Sequence, residues 1–576
     1  MSAAKNANLC WGQRYMWLKY HRLPPGERHD THIVLRLAIP HDVTVANCRA
    51  AINYLTRRHE SLRTTYHLDP GPEPRQQVHP PAALPILLVT TERDGTPGPA
   101  EIVERLGTTD FRLDADWPIR ACVITTGGTP KQIVLVLNHL AVDAWTVREI
   151  KRELTVQCAG FSSRRPAALE PVRNQPSDLA RHESSAEATA VAARSLAYWG
   201  TEIARLPADP FAARRAPTPP DREPVALDGR PITPNGTPLT SGREPLTSEP
   251  VARSATLTSP SLLDAVRRIA AADQVWPSLV HVTAYTVMMA AYTGLGTVAH
   301  LSFSGNREPG PYAGVMTCMF APMLVTVDCH DDPTFAELLR RVAERFELAR
   351  THSSAPYDEV VELVSREGSR RGRPVCLGSE VNFIKQRSSE ARARRTTFAW
   401  KTVPTAWAYE EMDTYFRIDE WRDAVVVGFH ARSSIMGAGD MERFLRGYET
   451  VLLTGGDLRI SDVTRLADFS APAPHSSTAP ERRPTFAPEA EQALAEVVRQ
   501  VNGLGEVDLS DSYTLAGGRA LRIPRVLALL AAHGWAGASV HHLTGPQSLR
   551  ALARKLTPEI TPEAVIESPR HVLTQP

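Results

Sequence analysis

Between Leu206 and Pro250 the chain places eleven prolines in 45 positions. Each one fixes φ and removes a backbone donor, so the stretch can sustain neither a helix interior nor a paired strand ladder. It is expected to be an irregular crossing segment or an exposed loop. A chain of 576 residues also exceeds what one hydrophobic core organises, roughly 250–300 residues. The proline-dense stretch is therefore a natural place to pass from one core to the next.

On its N-terminal side, residues 31–158 alternate between the two hydrophobic periods, which predicts an α/β layer structure. THIVLRLA (31–38) reads as a strand, and Val45, Cys48, Ile52 and Leu55 recur at helical spacing. IRACVI (119–124) and KQIVLVL (131–137) read as neighbouring strands about a turn at GGTP, followed by a helix over 144–158. A short helix ends at SLAYWGTEI (195–203). On the C-terminal side a second α/β pattern fills 255–470. Its helices are SLLDAVRRIAAA, 278–292, PTFAELLRRVAERFELA and MERFLRGYETVLL; its strands are VAHLSFS, SEVNFI and a hairpin of DTYFRIDEW with DAVVVGFHA.

SAPAPHSSTAPERRPTFAP (470–488) has the composition of a flexible linker. Beyond it, Leu494, Val497, Val498 and Val501 share one helical face, and a second helix spans about 520–533 before Gly534, predicting a small helical bundle. The expected fold class is α/β, with two similar-sized lobes and that bundle. The divisions are 1–175, a crossing segment 176–254, 255–470, a linker 471–488, the bundle 489–558 and a tail 559–576.

Sixty-five basic and 64 acidic residues leave no charge excess of the kind that tracks nucleic acid or anionic lipid. The seven cysteines are scattered without a C-x-x-C pair, so neither zinc nor dithiol chemistry is expected and the thiols read as reduced. MSAAKNANLCWGQRYMW lacks a basic segment followed by an apolar h-region, and the apolar stretch 278–292 is too short for a bilayer and contains His281. The expectation is a soluble, cytoplasmic protein that binds no metal.

LNHLAVDAWT (137–146) concentrates the chemistry. His139 stands where a strand gives way to a helix, a position from which a side chain projects off rigid backbone, and neutral imidazole can accept a proton near physiological pH. Asp143 can cap the following helix or anchor the loop against an arginine. The H-x-x-x-D spacing alone is expected about once by chance in a chain with this many histidines. Catalysis and a merely satisfied core histidine are both open on these residues alone.

With four further stretches in order, this segment resembles the condensation domains of nonribosomal peptide synthetases. Their signature is two histidines, three residues, then Asp-Gly, between two chloramphenicol-acetyltransferase-like halves. NLCWGQRYMWL (8–18) resembles the opening motif with its Gln13 and Trp17. RRHESLRTTY (57–66) is similar to RHExLRTxF, TDFRLDADWPIRACVI (109–124) to the stretch before the active-site strand, and SLAYWGTEI to the exit from the first half. The resemblance spans about residues 8–465. It implies two chloramphenicol-acetyltransferase-like sandwich lobes in a V-shaped arrangement.

The resemblance also implies an active site of His139 and Asp143, with His139 handling a proton and Asp143 fixing its loop. Asn138 stands in the supporting position of the first histidine and Ala144 in that of the glycine. FSGNR (303–307) resembles the segment whose arginine pairs with the motif aspartate, giving Arg307 as the partner of Asp143; a solvated loop arginine is the alternative. GVMTCMFAPMLVTV (314–327) resembles the next motif loosely, and Asn382 either faces the cleft or marks a strand edge. The implied reaction moves an acyl or aminoacyl group from the phosphopantetheine thioester of a separate acyl or peptidyl carrier protein to an amine or alcohol. It needs no covalently bound cofactor of its own. Two other readings remain at this point: a silent platform that recruits carriers or tailoring enzymes, and a coenzyme A-dependent acyltransferase.

Residues 489–556 resemble a peptidyl carrier domain. DSYTLAGGRAL (511–521) lies over the phosphopantetheine attachment motif, and its serine position is Ala520, which cannot form the phosphodiester. Arg519, Arg522 and Arg525 follow at three-residue spacing, read either as a solvated face or as a surface for an acidic partner such as a genuine carrier. A structural remnant packing on the second half is the other reading of this bundle.

Overall fold

The structure is a computed structural model that describes residues 5–69, 71, 73–91, 98–165, 168–215, 251–386, 394–408, 412–472 and 488–558. Most of the proline-dense stretch (216–250), most of the linker (473–487) and the tail 559–576 lie outside the described residues.

The first half is built on a four-stranded sheet in the order His32–Ala38, Thr129–Asn138, Ile119–Thr126, Ile86–Thr90. The run IVLVL within Thr129–Asn138 is apolar on both sides because both faces of the sheet are covered. Ile133, Leu135 and Leu137 meet Cys48, Ile52 and Leu55 of helix Val45–Arg58 and Ile150 and Leu154 of helix Ala144–Ser162. On the opposite face Val134 meets Val103 of helix Pro99–Thr108. Gly127 and Gly128, at φ +56° and +73°, close the tight turn between the two central strands, which only residues tolerant of positive φ do without strain.

The second half carries a seven-stranded sheet in the order Ala321–Asp328, Thr297–Ser304, Ser379–Lys385, Thr414–Glu420, Val425–Arg432, Ala252–Ser259, Thr397–Lys401. The expected hairpin pairs antiparallel from Thr414↔Ala431 to Glu420↔Val425. Helix Pro277–Thr293 is buried at every residue from Leu279 to Tyr292, so an all-round apolar helix here is a core element. No helix among the described residues is long and apolar enough to cross a membrane.

Several helices go beyond the sequence reading, Pro99–Thr108, Pro176–Glu183 and Ile460–Ala467 among them. Trp11–Arg22 is buried on most sides and Tyr357–Arg371 buries Asp358 and Glu362 beside its valines, which hid their period. Ala186–Arg205 runs for 20 residues from a Ser185 N-cap, far longer than the short element expected, because its alanine-rich start is a strong helix former. It packs on Tyr357–Arg371. The C-terminal bundle comprises helices Pro488–Asn502, Ile523–Ala532, Val540–Thr544 and Leu549–Ala553. Leu494, Val497, Val498 and Val501 are all buried. Their apolar cluster continues without a break into Tyr15, Trp17 and Tyr20 of the first helix and Tyr357, Val360 and Val361 of the second half.

Candidate active site

Strand Thr129–Asn138 ends in a turn that the backbone fixes tightly. Asn138 pairs with His32 across the sheet, its N–H donates to the Pro118 carbonyl at 3.0 Å, and its side-chain oxygen accepts from Leu140 N–H at 3.0 Å. Asn138 is thus a buried turn former. The His139 N–H donates to the Thr31 carbonyl at 3.2 Å, which ties the turn to the neighbouring strand.

Asp143 combines both roles open to it. Its backbone is extended, and its Oδ1 caps helix Ala144–Ser162 by accepting from Thr146 N–H at 2.7 Å. Its Oδ2 accepts from Arg307 at 2.8 Å and from Met319 N–H at 3.1 Å. The two terminal nitrogens of Arg307 also donate to the carbonyls of Ala313, Val315 and Thr317 at 3.0, 2.7 and 3.2 Å and to Thr146 Oγ1 at 3.1 Å. Its guanidinium lies 4.0 Å from the centre of the Trp145 ring. Side chains at 8% and 4% exposure make this a buried, multiply hydrogen-bonded pair, the geometry in which such a pair repays its desolvation. It joins the 138–143 turn to the 313–319 segment of the second half, so Arg307 is not a solvated loop arginine.

His139 projects beside an aromatic wall. Its ring centre is 5.2 Å from Phe320, which stands 5.3 Å from Tyr15 and 5.5 Å from Phe303; Tyr15 in turn stands 4.9 Å from Tyr357. Nδ1 is sealed from solvent with no hydrogen-bond partner among the described residues, while the residue as a whole stays partly exposed. Burial pulls the imidazole below its ordinary range, partly opposed by the Asp143 carboxylate. It is therefore neutral at physiological pH and able to receive a proton.

The remaining motif residues hold this frame. Gln13 accepts from Cys10 N–H at 2.8 Å and donates toward Thr317 Oγ1 at 3.2 Å, bolting the first helix to the segment that Arg307 grips. A side chain at Gly12 would meet the Cys318 carbonyl at 2.5 Å, so only glycine permits that approach. In RRHESLRTTY, His59 pairs with Glu153 at 2.8 Å and Glu60 accepts from Ser177 at 2.8 Å. These contacts join the helices of the first half and touch no part of the His139 wall. Asn382 lies on a central strand and donates to Tyr415 OH at 3.1 Å; it is not at a strand edge.

Ala520 is 2% exposed and its N–H donates to Glu362 Oε1 at 3.0 Å. Burial pushes the Glu362 carboxyl up, against the lowering by that N–H and by Arg519. The arginine triad is only partly exposed and finds its acidic partners within the chain. Arg519 stands 3.0 Å from Glu362, Arg522 2.8 Å from Glu73 and Arg525 2.7 Å from Asp69. The acids lie far away in sequence, and folding brings them to the bundle.

Residues 13–230 match the family model for the condensation domain. The chain is 24% identical over 335 residues to chondramide synthase cmdD of Chondromyces crocatus, covering 57% of this chain and 8% of that protein. It is 26% identical over 403 residues to the probable non-canonical nonribosomal peptide synthetase CymA of Salinispora arenicola, covering 66% of this chain and 4% of that one. The chain thus spans less than a tenth of the length of these curated relatives. Among solved structures, the X-domain in its complex with OxyB from teicoplanin biosynthesis superposes with a TM-score of 0.59 at 19% identity, covering 80% of this chain and 96% of that one. A condensation domain of the enacyloxin polyketide synthase gives 0.53 at 17% identity, covering 84% and 86%.

Proposed function

We propose that this chain, which carries the condensation-domain pattern in its first half and shares the condensation-domain fold, is an acyltransferase of natural-product assembly. An acyl or aminoacyl group arrives as a thioester on the phosphopantetheine of a separate carrier protein and leaves on an amine, with an alcohol as the second choice. The nucleophile forms a new bond to the thioester carbonyl carbon, the carbon–sulfur bond breaks, and the carrier thiol departs with a proton. His139 takes the proton from the nucleophile or orients it. Asp143 and Arg307 are positioning residues that hold the turn, and the cleft contributes by keeping the reactants at attack distance. The reaction takes place in the cytoplasm beside the carriers.

The observation that carries this reading is a neutral, partly exposed imidazole on a rigid strand end, braced by a buried ion pair. Reconstitution with carrier-loaded donors and free or carrier-bound amines, read by mass analysis of the product, tests it. His139→Ala should remove product and keep the fold; product at the wild-type rate refutes the role. Presenting the same acyl group on coenzyme A distinguishes the coenzyme A-dependent alternative. Asn138 at the first-histidine position favours one further reading, a recruitment platform, under which His139→Ala leaves the biological output intact.

Residues 488–558 are read as a carrier-like bundle that has lost its attachment group. Gly517 and Gly518 still make the turn, with Gly517 at φ +96° and Gly518 against the Tyr513 ring, and a methyl group follows where the hydroxyl would be. Intact-protein mass spectrometry after incubation with a phosphopantetheinyl transferase and coenzyme A should show no adduct.

A further inference from the structure

The bundle is fixed to the rest of the chain on a face that belongs to both halves. Asp69 and Glu73 sit between strands Thr64–His67 and Arg75–Val78 of the first half, whereas Glu359 and Glu362 sit on helix Tyr357–Arg371 of the second. Arg522 and Arg525 take the first pair of acids; Arg519 takes the second, at 3.0 Å to Glu362 and 3.7 Å to Glu359. Arg525 also donates to the Gly71 carbonyl. Half-exposed ion pairs contribute little each, so they set the orientation more than the strength of the contact.

Apolar packing supplies the strength. Ala520, Leu521 and Leu543 share a buried cluster with Tyr15, Tyr357, Val360 and Val361. Ser369 and Ser512 hydroxyls meet at 2.9 Å, and the backbone at Gly368 comes so close to Pro546 that a Cβ there would stand 3.6 Å from it.

Packed rings connect this face to the candidate site. Helix Tyr357–Arg371 starts at the tyrosine whose ring touches Tyr15, and through Tyr15 and Phe320 the aromatic wall reaches His139. The part of the bundle turned toward the helix is Ala520, the position from which a working carrier would extend its arm, here with its N–H held by Glu362.

We propose that residues 488–558 are a resident cap. They occupy in cis the face that the aromatic wall connects to His139, where a carrier bearing the nucleophile would otherwise dock, so that the nucleophile reaches the imidazole as a small, freely diffusing molecule while only the donor arrives on a carrier. This rests on the acyl-transfer reading above for the identity of the reactants, but the docking of the cap does not.

The Ser369/Ser512 contact allows a lock. All seven native cysteines are free and only Cys376 is not buried, so Ser369→Cys/Ser512→Cys adds one favourable thiol pair to a quiet background. Mild oxidation of the full chain should close this disulfide to completion, read as thiol loss by intact mass. The locked protein should then transfer the acyl group to a free amino acid amide at the unlocked rate, with no change on adding dithiothreitol. A lock that fails to form, or one that stops turnover until dithiothreitol restores it, overturns the cap. In parallel, Arg519→Glu/Arg522→Glu/Arg525→Glu should raise deuterium uptake in helix 357–371 and make a carrier-loaded amine a substrate. Unchanged uptake overturns the cap as well. Absence of turnover in the unlocked chain with every donor and amine would instead defeat the acyl-transfer reading, and the lock and exchange results would still decide the docking.

Discussion

Two turns of this molecule carry the motifs that matter, and they have met opposite fates. At residues 138–143 the imidazole is present and in reach of solvent: His139 stays partly exposed on a turn whose acid, Asp143, is buried and caps the helix that follows. At residues 517–520 the backbone turn is equally well built, but its apex offers only the methyl group of Ala520, covered at 2% exposure. The first turn is braced so that a side chain can act. The second is braced so that nothing can leave. A conserved-looking backbone geometry therefore says little about chemistry until the burial of the side chain at its apex is known.

The largest expected break in this comparison is His139→Ala. If the first turn is the working one, turnover should fall by about 10²–10⁴-fold, the range for a positioned general base, with an unchanged circular dichroism spectrum. Next comes Arg307→Ala, which strands a buried carboxylate at Asp143. Loss of one partner of such a pair costs about 3–5 kcal/mol, to be read from denaturant midpoints, and activity should fall with the stability of the turn. A variant as stable as the parent would mean that the Thr146 and Met319 N–H groups suffice to hold Asp143.

The pH profile sharpens the contrast further. Because burial lowers the His139 pKa, the neutral base persists below the ordinary histidine range, so the rate should hold as pH drops through about 6.5 and decline only in more acidic buffer. An acid limb centred above 6.5 would assign the titration to another group. The smallest effect is expected from Ala520→Ser. Restoring the hydroxyl under the docked bundle should leave stability nearly unchanged and still give no phosphopantetheine adduct, whereas adding the Arg519/Arg522/Arg525 reversal should permit one. An adduct on Ala520→Ser alone would mean that the second turn is open in solution.

Much of the fold was legible from periodicity. The strands 32–38, 119–126 and 129–138 and helix 144–162 follow from short apolar runs and a capping aspartate, and helix 277–293 from an unbroken apolar stretch. The helices Trp11–Arg22 and Tyr357–Arg371 were not, because the first is buried on most sides and the second buries Asp358 and Glu362 among its apolar positions, so neither shows a clean apolar stripe. At the site, His139, Asp143 and Arg307 could be named from motifs. The Phe320, Tyr15 and Tyr357 wall could not, since its members come from three separate segments and carry no spacing signal. RRHESLRTTY, the most specific stretch of sequence, turned out to join helices through His59 and Glu153.

Composition and local pattern alone settled that the chain would form alternating α/β layers with a small helical bundle behind them, and that Ala520 offers no oxygen for a phosphodiester; both are properties of residue type and near-neighbour spacing. Which charges meet was decided by the tertiary structure. Arg307 finds Asp143 across 164 positions and Arg522 finds Glu73 across 449, distances over which only the packing of the whole chain, and no periodicity, selects the partner. The same packing buries Ala520 and leaves His139 in reach of solvent, because exposure is a property of what folds over a residue and not of the residue itself.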